Sequence, residues 1–110
     1  MQPFVWFHNH SDRPTETRAF YEQLLGWKSK DGPPGMSMFA DDKGPYAGVG
    51  AKETPAGWLP YVEVADVVAA TEKAVKLGAA LVQNRTRGPA GEFSIVRDPG
   101  GAAVALWQKA

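Results

Sequence analysis

The sequence predicts an α+β fold of two βαβββ modules, over about residues 1–53 and 58–110, within a single domain. Two observations predict it. Segments typical of a strand, a helix and three further strands occur in that order twice. Matching features recur about 52 residues apart, because Trp6 corresponds to Trp58 and Leu25-Gly26 to Leu77-Gly78. A chain of 110 residues has the size of one compact domain.

The first module begins with a strand over Phe4–His10, where aromatic and β-branched residues alternate. Pro14 suits the first turn of a helix that runs to Leu25, and Gly26 suits its left-handed cap. Spacings of three and four place five apolar side chains on one helix face: Ala19, Phe20, Tyr21, Leu24 and Leu25. Turn sequences then separate three predicted strands, Trp27–Lys30, Met36–Ala40 and Tyr46–Glu53.

The second module repeats this order. Trp58–Ala65 is the predicted strand, Asp66 is a good N-cap and Gly78 ends the helix. The apolar helix face is expected to comprise Val67, Ala70, Ala74 and Leu77. The predicted strands that follow are Ala80–Gln83, Glu92–Arg97 and Ala102–Gln108, and the last two are joined by the turn Asp98-Pro99-Gly100-Gly101.

Composition excludes several classes of function. The chain has 12 basic and 12 acidic residues, so it lacks the basic excess of nucleic-acid binders. No apolar run approaches the roughly 20 residues that cross a bilayer. Gly48-Val49-Gly50 is followed by neither a further spaced glycine nor a helix signal, so it is no dinucleotide fingerprint. The sequence has no cysteine, and its opening residues do not resemble a signal peptide. We therefore expect a cytoplasmic protein with no nucleic-acid or membrane partner.

Short strings along nearly the whole chain occur in the order that two such modules require. They are Ala19-Phe20-Tyr21, Leu24-Leu25-Gly26-Trp27, Trp58-Leu59-Pro60-Tyr61, Val64-Ala65-Asp66-Val67, Gly91-Glu92-Phe93, Asp98-Pro99-Gly100-Gly101 and Leu106-Trp107-Gln108. In this arrangement the chain resembles the vicinal-oxygen-chelate superfamily, which includes glyoxalase I, bleomycin-resistance proteins and extradiol dioxygenases. The resemblance implies a glyoxalase-like fold, in which curved mixed sheets of the two modules form a shared cavity. It also implies a homodimer.

The resemblance argues against the superfamily's usual metal centre in this chain. Metal-using members place His, Gln or Glu near the start of each module's first strand and Glu in its last strand. The matching positions here are Trp6, Leu59 (or Trp58) and Ala105, which offer no ligand to a divalent ion. Only Glu53, at the remaining position, carries a carboxylate. The resemblance therefore implies no metal cofactor.

His8 and His10 are the only histidines, and they stand two residues apart on a predicted strand. Both should project from one face together with Trp6, and the resemblance puts that face on the cavity. One hypothesis is a displaced divalent-metal site or an acid–base pair, with Glu53 or Glu63 as the third ligand. The other makes His8 a polar ligand contact without metal, while His10 is an exposed strand end.

Further ligand-binding positions are expected in the second module. With Trp6 and His8, the predicted ligand contacts are Trp58, Tyr61, Glu63 and Trp107. Flat aromatic walls suit an aromatic or conjugated ligand, and the small Ala103 and Ala105 on the face of Trp107 would leave it room. Glu63 could be a buried base or an acid at the sheet rim. On the first helix, Phe20 and Tyr21 are assigned to the core.

These patterns support three hypotheses of function. The leading hypothesis is a metal-independent protein that binds and sequesters a small, partly aromatic molecule, in the manner of bleomycin-resistance members. The alternative is a metal-dependent lyase, isomerase or dioxygenase of the glyoxalase type that uses His8 and His10. The third is a non-catalytic interaction domain. The sequence leaves open whether the protein is an enzyme and which molecule it binds.

Overall fold

The computed structural model describes residues 3–110. They form two compact units, Trp6–Leu59 and Pro60–Ala110, the second joined by residues 3–5. Along the described chain a strand, a helix and three strands occur twice. This order confirms the two predicted βαβββ modules. Neither helix within residues 3–110 has the length and apolar character needed to cross a membrane.

The unit Trp6–Leu59 is a mixed sheet with one helix. Its elements are β1 (Phe4–Ser11), α1 (Pro14–Leu25), β2 (Lys28–Asp31), β3 (Met36–Asp41) and β4 (Gly44–Ala51). The strand order is β2-β3-β4-β1. β3 pairs antiparallel with both β2 and β4, whereas β4 pairs parallel with β1. The parallel pair is possible because a crossover that includes α1 separates β1 from β4.

Helix α1 begins at Pro14 and ends at Leu25, and Gly26, with a φ of 70°, is the predicted left-handed cap. Tyr21 packs against a buried cluster of Phe39, Ala47 and Val49 on β3 and β4. Phe20 was expected in this core, but it is 55% exposed, and Leu24 and Leu25 are also exposed. The assignment of Phe20 to the core was wrong. Successive helical residues are about 100° apart, and it is Tyr21 that meets the sheet.

The unit Pro60–Ala110 has the same arrangement. Its elements are β5 (Gly57–Glu63), α2 (Val67–Lys76), β6 (Ala80–Gly88), β7 (Gly91–Arg97) and β8 (Ala103–Lys109). The strand order is β5-β8-β7-β6. β5 and β8 are parallel and the other neighbours are antiparallel. The predicted turn from Asp98 is confirmed, because Gly101 N–H donates to the Asp98 carbonyl at 2.9 Å.

Helix α2 is capped as expected, since the Asp66 carboxylate accepts from Ala69 N–H at 3.1 Å. Val67 and Thr71 are the buried residues of this helix. Leu77, predicted on the same face, is instead 70% exposed. Leu77 is the C-cap, with φ −88° and ψ 5°, so the helical periodicity that placed it inward no longer applies there. Gly78 follows with φ 106°, a conformation that suits glycine.

Candidate ligand-binding site

One face of the Trp6–Leu59 sheet carries both histidines. In the parallel pairing of β1 with β4, His8 lies opposite Gly48 and His10 opposite Gly50. Alternate residues of a strand point to the same side, so Trp6 shares this side with His8 and His10. We call the surface formed by Trp6, His8, His10, Gly48 and Gly50 the histidine face. The predicted alignment of Trp6 with both histidines is confirmed.

Two glycines let these side chains lie directly on the backbone of β4. A Cβ added at Gly48 would stand 2.9 Å from Trp6 Cζ2 and 3.0 Å from His8 Nδ1. A Cβ added at Gly50 would stand 2.9 Å from His8 Nε2. Real Cβ atoms essentially never approach other atoms below 3.0 Å. Glycine at both positions therefore makes room for the Trp6 and His8 rings.

His8 is the more exposed of the two histidines on this face. Burial lowers its pKa from 6.5 to about 4, and the neighbouring His10 acts in the same direction. The imidazole is therefore uncharged at neutral pH and offers one N–H donor and one acceptor nitrogen. Within residues 3–110, neither ring nitrogen has a hydrogen-bond partner. Both functions remain available to a bound molecule.

His10 is buried, at 5% exposure, and its Nδ1 lies 2.7 Å from the Pro55 carbonyl oxygen. A carbonyl only accepts, so Nδ1 carries the proton and donates it. Its Nε2 lies 3.7 Å from a Glu53 carboxylate oxygen. The rings of His8 and His10 are 5.1 Å apart between centroids. The interpretation of His10 as an exposed strand end was wrong, because the segment after β4 lies against it.

The donor atoms in this region do not fit a metal centre of the superfamily's kind. Within residues 3–110, no group of three or more His, Cys, Asp or Glu side chains is placed to hold a metal ion. Glu53 is 68% exposed at its side chain. Leu59 and Ala105, at the superfamily's ligand positions, are fully buried apolar residues. The alternative site of His8, His10 and Glu53 is therefore not assembled.

In the unit Pro60–Ala110, three of the predicted contacts share one sheet face. Tyr61 pairs with Ala105, and Glu63 pairs with Trp107, so their side chains point to the same side. The Tyr61 ring lies 5.9 Å from that of Phe93, between centroids. The Glu63 carboxylate is 3.9 Å from Lys109 Nζ and partly exposed. That contact supports the interpretation of Glu63 as an acid at the sheet rim.

Trp58 does not belong to the histidine face. Its Nε1–H donates to Tyr21 Oη at 3.0 Å, and the two rings are 5.4 Å apart between centroids. Tyr21 is the α1 side chain that packs on Phe39, so Trp58 lies on the helix side of the unit. The expected grouping of Trp58 with Trp6 was wrong. Gly48 and Gly50 are the site residues that sequence reasoning missed, since it considered them only as a failed nucleotide motif.

The fold and this site define an α+β protein of two βαβββ modules that carries a histidine-bearing sheet face. Residues 6–107 match the model of the Glyoxalase-like domain family. The chain belongs to this family, which confirms the resemblance to the vicinal-oxygen-chelate superfamily.

Relatives of this family include one from Mycobacterium tuberculosis named "Putative glyoxylase CFP32". It is 34% identical over 115 residues, which cover 94% of this chain and 44% of that protein. The chain thus spans less than half the length of this curated relative. A relative of the same name from Mycobacterium bovis has the same identity and coverage.

Two solved structures show the same fold. A glyoxalase/bleomycin resistance protein/dioxygenase superfamily member from Vibrio splendidus superposes with a TM-score of 0.69 at 15% identity, covering 100% of both chains. Streptomyces coelicolor methylmalonyl-CoA epimerase, in complex with 2-nitronate-propionyl-CoA, superposes with a TM-score of 0.63 at 14% identity. That alignment covers 100% of this chain and 99% of the epimerase chain.

Proposed function

We propose that the histidine face binds a small, uncharged, partly aromatic molecule without a metal ion and sequesters it, as a bleomycin-resistance-like protein does. The observation that carries this proposal is the state of His8. Its imidazole is uncharged at neutral pH, and its nitrogens have no hydrogen-bond partner within residues 3–110. A half-buried imidazole in that condition can donate one hydrogen bond to a ligand and accept another from it.

The neighbours of His8 favour an aromatic ligand. Trp6 lies beside it on the backbone of β4 and offers a flat apolar surface. On β3, the strand next to β4, Met38 pairs with Gly48 and Met36 with Gly50. Paired residues point to the same side of a sheet, so both thioethers project toward the histidine face. Thioether sulfur makes favourable contacts with aromatic rings. A conjugated molecule with one hydrogen-bonding group fits this combination.

The test is a thermal-shift screen of uncharged aromatic compounds, followed by titration of each hit. A ligand of the folded state raises the melting temperature. The informative variant is His8→Phe, which keeps a ring but removes both nitrogens, and we expect about tenfold weaker binding. Phe7→Leu is the matched control, because Phe7 is the adjacent β1 residue on the opposite side of the strand.

Two outcomes would contradict the proposal. If no compound shifts the melting temperature, the non-catalytic interaction domain becomes the better hypothesis. If His8→Phe binds a hit as tightly as the unaltered chain does, His8 is not a ligand contact.

The predicted ligand contacts in the second module remain predictions. They are Tyr61, Glu63 and Trp107, and Tyr61→Phe tests the first of them in the same titration.

We also propose that the protein acts as a homodimer in the cytoplasm. Exposed apolar side chains on α1, Leu24 and Leu25, support an interface between copies. The lack of cysteine is consistent with a compartment in which disulfides do not form. Light scattering on a sizing column tests the dimer, and a monomer at micromolar concentration would contradict it.

A further inference from the structure

A shallow, open cleft of about 370 Å³ lies on the helix side of the Trp6–Leu59 unit, away from the histidine face. Its wall is formed by β1, α1 and the turn between them. The lining residues are Asn9, Arg13, Glu16, Thr17, Phe20 and Tyr21. None of them belongs to the histidine face. The cleft is therefore a separate feature, and its role is independent of the function proposed for the histidine face.

Asn9 is the unusual residue of this cleft. It is 7% exposed and pairs with Val49, a member of the buried cluster beneath α1. Within residues 3–110, its carboxamide has no hydrogen-bond partner. The other buried polar side chains all have one, since His10 bonds to Pro55 and Thr71 to Ser94. Among the buried polar side chains within residues 3–110, Asn9 is therefore the one whose polar group is left for water or a ligand.

The Asn9 carboxamide opens onto the cleft. In the described part of the chain, every side-chain nitrogen or oxygen that is fully shut off from solvent has a partner. The unpaired Asn9 amide must therefore be reachable from outside, and the cleft is the opening that it lines. A molecule in the cleft could thus supply both missing hydrogen bonds.

The remaining lining indicates the chemistry of that molecule. Arg13 and Glu16 form an ion pair with each other, so the rim carries no unbalanced charge. Thr17 is hydrogen-bonded to Ser11 at 2.7 Å. Phe20 contributes an aromatic ring that is more than half exposed. The site therefore combines one adjacent donor and acceptor with apolar aromatic surface and no net charge.

We propose that this cleft binds a small, neutral, planar carboxamide. The complement of a carboxamide's paired donor and acceptor is another amide, which forms two hydrogen bonds to it at once. The rest of the ligand, a flat ring, packs against Phe20. A carboxylate of the same shape is a poorer ligand. It can accept a hydrogen bond from the Asn9 amide but cannot donate one to it, and it brings a negative charge while Arg13 is paired with Glu16.

The experiment is an NMR titration of the full chain with benzamide and nicotinamide, followed through the Asn9 side-chain NH₂ and the α1 amides. Both probes should shift these signals, and benzoate, the matched anion, should bind about tenfold more weakly. Asn9→Asp keeps the size of the side chain but loses the donor, and it should weaken benzamide binding by about the same factor. Phe20→Ala should weaken binding as well.

His8→Phe serves as the control, because it alters only the histidine face and should leave the benzamide-induced shifts of the Asn9 side chain and the α1 amides unchanged. The amide spectrum of each variant shows whether it is folded; if Asn9→Asp is not, Asn9→Leu takes its place. The proposal is overturned if millimolar benzamide shifts no signal of the cleft, if benzoate binds equally well, or if folded Asn9 variants bind as the unaltered chain does. None of these results would bear on the histidine face.

Discussion

The nitrogen-bearing edge of the His8 ring lies against Gly50, so that a Cβ at that glycine would stand 2.9 Å from His8 Nε2. Gly50 is also the residue opposite His10 in the β1–β4 pairing. One glycine thus accommodates the ring of one histidine and pairs with the backbone of the other. The candidate ligand contact depends on a residue that has no side chain of its own.

Replacing Gly50 with Ala should therefore displace His8. The added methyl group would stand 2.9 Å from His8 Nε2, so the imidazole must rotate away, at a cost of about 0.5–1.5 kcal/mol in the free energy of unfolding. Ligand binding at the histidine face should fall with it. Urea denaturation and a ligand titration of the variant measure both effects. Gly100→Ala is the control, because a Cβ there would make only ordinary contact, 3.5 Å from Asp98 Oδ1.

A second prediction concerns the titration of His8. NMR should find a pKa of about 4 for this imidazole, since burial disfavours its charged form. In the unfolded chain the value returns to about 6.5. The unfolded state then binds more protons between these values, so the stability that His8 contributes is complete above pH 6.5 and is lost as the pH falls toward 4.

Urea unfolding of the unaltered chain and of His8→Phe at pH values of about 7, 5.5 and 4.5 measures this contribution. As the pH falls, the free energy of unfolding of the unaltered chain should decrease more than that of His8→Phe, which has no imidazole to titrate at this position. Parallel curves for the two chains over this range would show that His8 titrates normally in the folded protein.

The elements of the fold could be predicted because their signals are local. Gly26 and Asp66 mark helix ends through conformations and hydrogen bonds that span only a few residues. How far a helix face is buried is a tertiary property. The spacing of Phe20 and Tyr21 could not show that Tyr21 packs on the sheet while Phe20 stays exposed.

The site was predictable to the extent that it follows strand alternation. Alternation placed Trp6, His8 and His10 on one face, and the same rule could have separated Trp58 from Tyr61, which are three residues apart. The roles of Gly48 and Gly50 depend on the register between β1 and β4, which no local pattern specifies. The hydrogen bond from His10 to Pro55 joins residues 45 positions apart, so the spacing of residues along the sequence could not predict it either.

A third prediction concerns metal binding. Protein purified without chelator should contain less than one divalent ion per chain, and added Zn²⁺ should not raise its melting temperature. The reason is the donor set, since no three His, Asp or Glu side chains within residues 3–110 are placed to hold a metal ion, and the Glu53 side chain is mostly exposed. Elemental analysis and thermal shift measure this. One Zn²⁺ per chain that disappears when His8 and His10 are both changed to Ala would instead establish the metal-dependent alternative.

The last prediction concerns the buried hydroxyl pair that joins α2 to β7. Thr71 Oγ1 and Ser94 Oγ are 2.7 Å apart, and Ser94 is completely buried. Thr71→Val preserves the shape of the side chain but leaves the Ser94 hydroxyl without a partner, which should cost about 1–3 kcal/mol in the free energy of unfolding. Adding Ser94→Ala removes the unpaired group, so the double variant should recover part of that loss. Urea denaturation of the two single variants and the double variant measures the coupling. If the losses simply add, the two hydroxyls do not stabilise each other, and α2 is held to its sheet by apolar contacts such as those of Val67.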